Sequence, residues 1–312
     1  MSGIKYFKKI ISKTQPKTSL NKIFKYKSSI QKVKFGVKSV NISELKKTAN
    51  KIRKHIIRMT TEAGSGHPGG SLSSTEIITA LYFHILRQNP KDPEWDNRDR
   101  FILSAGHLCP VLYAAMAEAG YFPISELSTL RKMGARLQGH PSRLNLPGIE
   151  TSTGSLGQGF CVAIGMALAG KMDNKEYTVY CLMGDGEQDE GSIWEGAMFA
   201  SHHKLENLCA IIDYNGLQQD GKHEEIIKLE PLKKKYEAFG WFVIDVDGHD
   251  FAQLISAMEE AKTIKDKPVV IIARTIMGKG VSFMENDYQW HGKALSKELA
   301  EKALAELGEN NA

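Results

Sequence analysis

The chain has 312 residues, of which 42% are apolar, with 41 basic and 36 acidic side chains and a formal charge of +5. That length allows one large or two ordinary domains with a full core, and the ordinary apolar and charged fractions argue against disorder overall. No run approaches 18 uninterrupted apolar residues, which excludes a transmembrane helix. The charge is unevenly placed: residues 1–40 hold eleven Lys and no Asp, Glu or Arg. Removing those eleven leaves thirty basic against 36 acidic groups, a surplus of six negative charges over the other 272 residues. A whole-chain nucleic-acid role is therefore weakened, and no aromatic-basic RNA module follows the leader.

The leader reads as a basic, poorly ordered extension, or as a transit-like peptide that uses Lys where such peptides favour Arg. The expected division is a leader over 1–40 and one globular domain over 41–312. From Ser43, Leu45, Ala49, Ile52, Ile56 and Met59 recur at helical spacing up to Gly64. A second helix is expected over 73–86, loop chemistry over 87–106, and a helix over 108–119. Residues 134–158 are rich in Gly, Pro, Ser and Thr without periodicity and read as a functional loop ahead of a helix over 158–170. Strands are expected over 177–183 (YTVYCLM), 208–214 (LCAIIDY), 241–246 (WFVIDV) and 268–273 (PVVIIA), with helices over 191–203, 251–264 and 296–307. Short apolar runs alternating with helices imply an α/β fold: an open, mostly parallel sheet with helices on both faces. Cys109, Cys161, Cys181 and Cys209 form no Cys-x-x-Cys pair and are expected to be buried free thiols in a reducing compartment.

The strongest local signal is Gly184-Asp185-Gly186 directly after one expected strand, with Asn215 directly after the next. Gly-Asp-Gly alone is also a common turn. Thirty residues is about the length of one βαβ unit, whose right-handed crossover brings both strand ends to the edge where open α/β sheets bind ligands. Glycines beside Asp185 let a phosphate approach the backbone. A carboxylate with an amide oxygen suits Mg²⁺ shared with a diphosphate.

GDGEQDEGSIWEGAMFASHHKLENLCAIIDYNG resembles the thiamine-diphosphate fingerprint of transketolases. The likeness extends to SGHPGGSLS (65–73), LSAGH (103–107), QGHPSR (138–143), ETSTGSLGQG (150–159) and QWHGKAL (289–295), six motifs in family order. It covers the first of the three domains of a single-chain transketolase and implies the N-terminal subunit of a split enzyme. The resemblance implies Asp185, Asn215 and the Leu217 carbonyl as Mg²⁺ ligands, with Gly184 and Gly186 at the diphosphate. Gly154, Leu156 and Gly157 would line the thiazolium and aminopyrimidine rings, although Ser155 replaces a Pro common in single-chain members. His107 and His291 would contact diphosphate and donor, His67 would move protons on substrate oxygens, and His140 would bind the donor's terminal hydroxyl. Each of these histidines also admits a purely structural role. Glu190 would meet the activating glutamate of a partner domain; a helix N-terminal acid is its plainer reading.

The implied reaction moves a two-carbon ketol unit from a ketose phosphate to an aldose phosphate in the pentose phosphate pathway, with thiamine diphosphate as electron sink. The activating glutamate and most phosphate-reading groups would come from a C-terminal partner subunit in an α2β2 heterotetramer. The expected setting is the cytoplasm, or an organelle matrix if the leader is a transit peptide, with no membrane partner. The competing readings are a subunit of a 2-oxo acid dehydrogenase, a deoxyxylulose-phosphate synthase, and a non-catalytic module that kept the fold.

Overall fold

Strands β2 (Val179–Gly184), β3 (Leu208–Tyr214) and β7 (Val269–Arg274) are buried along nearly their whole length, as strands covered on both faces must be. The computed structural model describes residues 41–308, so the reading of residues 1–40 lies outside the described residues. With β1 (Arg100–Leu103) and β6 (Phe242–Asp247), these strands form a five-stranded sheet in the order β1-β2-β3-β7-β6. Every pairing in it is parallel. Gly184 pairs with Asp213 and Tyr214 with Arg274, so the carboxyl ends of three strands finish nearly level.

Alternate side chains serve opposite faces. Cys181 and Met183 of β2 and Ala210 and Ile212 of β3 share one core with Phe160 and Ile164 of α5 (Gln158–Met172) and Ile193 and Ala197 of α6 (Gly191–His202). The other face carries α9 (Phe251–Ala261), which packs on β6 and β7 and touches α3 (Thr75–Ala80). On that side α1 (Ile42–Ala63) packs against α3 and α4 (Cys109–Ala119). Asn41 caps α1 through its side chain, and Gly64 ends it in the left-handed region. Leu45, Ala49, Ile52, Ile56 and Met59 are all buried, so the helical spacing in the sequence is the packed stripe.

Three local readings need correction. The stretch 87–106 is not all loop, because β1 lies within it. Four residues are too few to show a period; pairing with β2 makes them a strand, and Asp99 anchors its start by accepting the Arg87 and Thr178 N–H groups at 2.8 and 2.9 Å. The helix expected over 73–86 starts at Thr75 and runs as α3 (Thr75–Ala80) into a π-helical turn at Leu81–Ile85, behind a separate short helix α2 (Pro68–Ser73). Ser73 and Ser74 both donate to the Gly70 carbonyl and to Asp213, which competes with a straight helix. Among the cysteines, Cys109, Cys181 and Cys209 are buried, but Cys161 is partly exposed; all four are free.

Small elements without a sequence signal complete the fold. They are the hairpin β4 (Leu217–Gln218) and β5 (Gly221–Lys222), α7 (His223–Ile226) and α8 (Leu232–Ala238). α10 (Lys297–Glu306) starts on a Ser296 cap and is tied to α1 by Asn50 Nδ2 donating to the Leu307 carbonyl at 2.9 Å.

Candidate active site

The loops after β1, β2, β3 and β7 meet at one edge of the sheet and line a cavity of about 380 Å³. Gly184, Asp185 and Gly186 enter it from β2, and Asn215 and Leu217 from β3. His107 comes from the loop after β1, His67 from the start of α2, and His291 from the segment before α10. Gly154 and Leu156 close another side. His140, Gly157 and Glu190 are not among its lining residues. His140 is exposed, with its ring 3.2 Å from where a Gly154 Cβ would sit. Gly157 caps the start of α5 with φ +77°, and Glu190 is exposed at the N-terminus of α6. A larger open groove of about 780 Å³ between α1, the 124–129 turn and α10 contains none of the motif residues.

Asp185 is almost fully buried. Its Oδ1 accepts the Gly186 N–H at 2.8 Å and its Oδ2 the Gly216 N–H at 2.6 Å. Gly216 reaches that position with φ +80°. Asn215 is fixed by its own turn, with Oδ1 accepting the Leu217 N–H at 3.0 Å. At Gly186 a Cβ would stand 3.3 Å from Gln218 Cβ, so the backbone there is closely hemmed in. The rings of His67, His107 and His291 lie 5.1 to 5.6 Å apart, and the Nδ1 atoms of His67 and His291 are buried without a hydrogen-bond partner. Burial holds all three imidazoles below their ordinary pKa, and neighbouring His291, Arg131 and His140 help bring His67 to about 4. At neutral pH the three rings are uncharged, each able to donate through one nitrogen and accept through the other. Oxygen donors beside unpartnered ring nitrogens and a close-fitting glycine suit a hard divalent cation and a diphosphate.

Several site residues carried no sequence signal. Glu187, 1% exposed, accepts from the Gly157 N–H at 2.8 Å, the Gly184 N–H at 3.2 Å and the Ser104 hydroxyl. It thereby ties the Gly154–Gly157 loop to the ends of β1 and β2. Burial pushes its carboxyl up to about 7 against those three donors. Asp213 accepts from Ser73, Ser74 and Thr275, and burial raises it to about 6. His223 stands behind Asp185, with Nε2 3.2 Å from Oδ1. Its burial opposes protonation, but Asp185 and Asp189 outweigh that and raise its pKa. The loop after β7 is held by a buried relay. The Ile276 N–H donates to His249 Nε2 at 2.9 Å, and His249 Nδ1 meets Glu76 at 2.9 Å. Glu76 takes both carboxylate contacts from Arg53 at 2.7 Å, and Arg53 Nε donates to the Lys279 carbonyl at 3.0 Å.

The family described as the thiamine diphosphate binding domain of transketolase matches residues 44–312. The 6-deoxy-6-sulfo-D-fructose transketolase subunit of Clostridium sp. (strain MSTE9) is 48% identical over 269 residues, covering 86% of this chain and 98% of that one. An apulose-4-phosphate transketolase subunit of Phocaeicola vulgatus is 41% identical over 270 residues, covering 86% and 96%. The crystal structure of transketolase from Campylobacter jejuni superposes with a TM-score of 0.82 at 35% identity, over 88% of this chain and 44% of that longer one.

Proposed function

This chain belongs to the transketolase family, and from that premise we propose that it is the diphosphate- and metal-holding half of a two-chain transketolase. The observation that carries this reading is the convergence of Asp185, Asn215 and Leu217 with three uncharged histidines at one edge of a parallel sheet. Near-complete coverage of two proteins named as transketolase subunits supports a partner chain.

In this reading the Asp185 carboxylate, the Asn215 side chain and the Leu217 carbonyl hold Mg²⁺, while the backbone of Gly184 and Gly186 faces the diphosphate. Gly154 and Leu156 would line the thiazolium and aminopyrimidine rings, with Gly157 turning their loop into α5. Thiamine diphosphate, when bound, supplies the electron sink that lets a ketose C2–C3 bond break. His67, His107 and His291 then donate to diphosphate or sugar oxygens, or take protons from them, without first losing a charge. His140, exposed beside Gly154, would bind the donor's terminal hydroxyl. Glu190, exposed at the start of α6, would meet the carboxylate that a partner brings to the aminopyrimidine. The partner would carry the pyrimidine-binding and C-terminal domains in an α2β2 assembly, and free thiols fit a reducing cytoplasm.

The test is ketol transfer between sugar phosphates, measured on the purified chain with thiamine diphosphate and Mg²⁺, with and without a candidate partner. A sulfonated ketose and apulose 4-phosphate belong in the donor panel, since the two subunit relatives are named for those sugars. Full activity from the chain alone overturns the two-chain reading. Asp185→Ala is expected to abolish activity of the complex while association of the two chains survives; retained activity removes Asp185 from the metal site.

A further inference from the structure

His223 occupies an unusual place. It opens α7 directly after the β4–β5 hairpin, and its backbone N–H donates to the Gly216 carbonyl at 3.2 Å. That bond fixes the residue to the same turn that delivers Gly216 to Asp185 Oδ2. The side chain is 3% exposed, and neither ring nitrogen has a hydrogen-bond partner. Yet Nε2 lies 3.2 Å from Asp185 Oδ1, with the ring not aligned on that oxygen. A buried polar ring with unpaired nitrogens needs an account. At 3.2 Å its Nε2 is already within reach of the Asp185 carboxylate.

We propose that His223 is a positioning residue of the cation site. On binding, its Nε2–H closes onto Asp185 Oδ1 and fixes the aim of the carboxylate. Oδ1 then accepts from Gly186 and His223, and Oδ2 accepts from Gly216 and keeps a lone pair for the metal. Carboxylates that bind metals are themselves oriented by such outer hydrogen bonds, and losing one weakens metal binding by about 10- to 100-fold. This inference rests on Asp185 being a metal ligand, as proposed above.

The experiment uses the full chain with thiamine diphosphate and Mn²⁺, following free Mn²⁺ by its electron paramagnetic resonance signal. His223→Ala is expected to weaken Mn²⁺ binding by about 10- to 100-fold. His223→Gln, which keeps an N–H donor at similar reach, should recover most of it. Thermal unfolding of the metal-free variants checks that both fold alike. If the alanine variant binds Mn²⁺ as the wild type does, or the glutamine variant binds no better than alanine, the positioning role is overturned. Nitrogen hyperfine coupling between His223 and Mn²⁺ also overturns it, because it would make the imidazole a direct ligand. A wild-type chain that binds no Mn²⁺ with thiamine diphosphate brings down the cofactor reading and this inference together.

Discussion

Removing Glu76 should show how strongly the buried relay holds the loop after β7. Arg53 and Glu76 are each 7% exposed, and besides their two short contacts Arg53 Nε donates to the Lys279 carbonyl. Glu76→Leu strands the guanidinium in the interior and frees His249 Nδ1 at the same time. Breaking one side of a buried pair typically destabilises by about 3–5 kcal/mol. At roughly 2–4 °C per kcal/mol for a domain of this size, the melting temperature should fall by roughly 6–20 °C. The double variant Arg53→Met/Glu76→Leu should recover much of that loss, because no unpaired charge remains. The pH dependence has a definite sign. Burial pushes the Glu76 carboxyl up, but His249 and Arg53 outweigh it and hold the carboxyl below its ordinary value. Its contribution is therefore complete above the ordinary carboxylate range and is lost as pH falls through the depressed value. Urea unfolding of the metal-free chain at pH 7 and at acid pH measures both. A loss below about 1 kcal/mol at pH 7, or a double variant less stable than Glu76→Leu, would refute the reasoning.

Glu187 behaves oppositely. Its pKa is raised by burial to about 7, so the folded chain keeps a proton that the unfolded chain has released. Stability should decline as pH rises from the ordinary carboxylate range to about 7, and Glu187→Gln should remove on the order of 3 kcal/mol of that decline in metal-free unfolding curves. Gly157→Ala should destabilise by roughly 1–3 kcal/mol, since φ is +77° and the new Cβ would press on the Ser192 hydroxyl and sit 3.0 Å from Glu190 Cβ. Gly165→Ala in the same helix α5, with open space around it, should stabilise by roughly 0.5–1 kcal/mol. Proton NMR of the imidazole rings should give His67 a midpoint of about 4. The unfolded chain takes up that proton at higher pH, so the His67 contribution to stability weakens as pH falls below the ordinary imidazole range.

The central strands were legible in the sequence, because β2, β3 and β7 are short, largely apolar runs of the kind that strands covered on both faces carry. The sequence also located Asp185 and Asn215 at strand ends, since glycine and asparagine punctuate the chain where strands stop. α1 was legible from its buried stripe. β1 was not, because four residues become a strand only when β2 supplies the hydrogen bonds. The interruption at Ser74 between α2 and α3 was hidden for a similar reason: Ser73 and Ser74 reach Asp213, 140 and 139 residues away. Glu187, Asp213, His223 and the Arg53–Glu76–His249 relay have no local pattern, since each acts through a partner brought near by the fold. Local periodicity and turn chemistry thus reach the residues proposed as metal and diphosphate ligands. Which buried charges steady those residues follows only from the fold, because burial and long-range hydrogen bonds set both their geometry and their proton affinity.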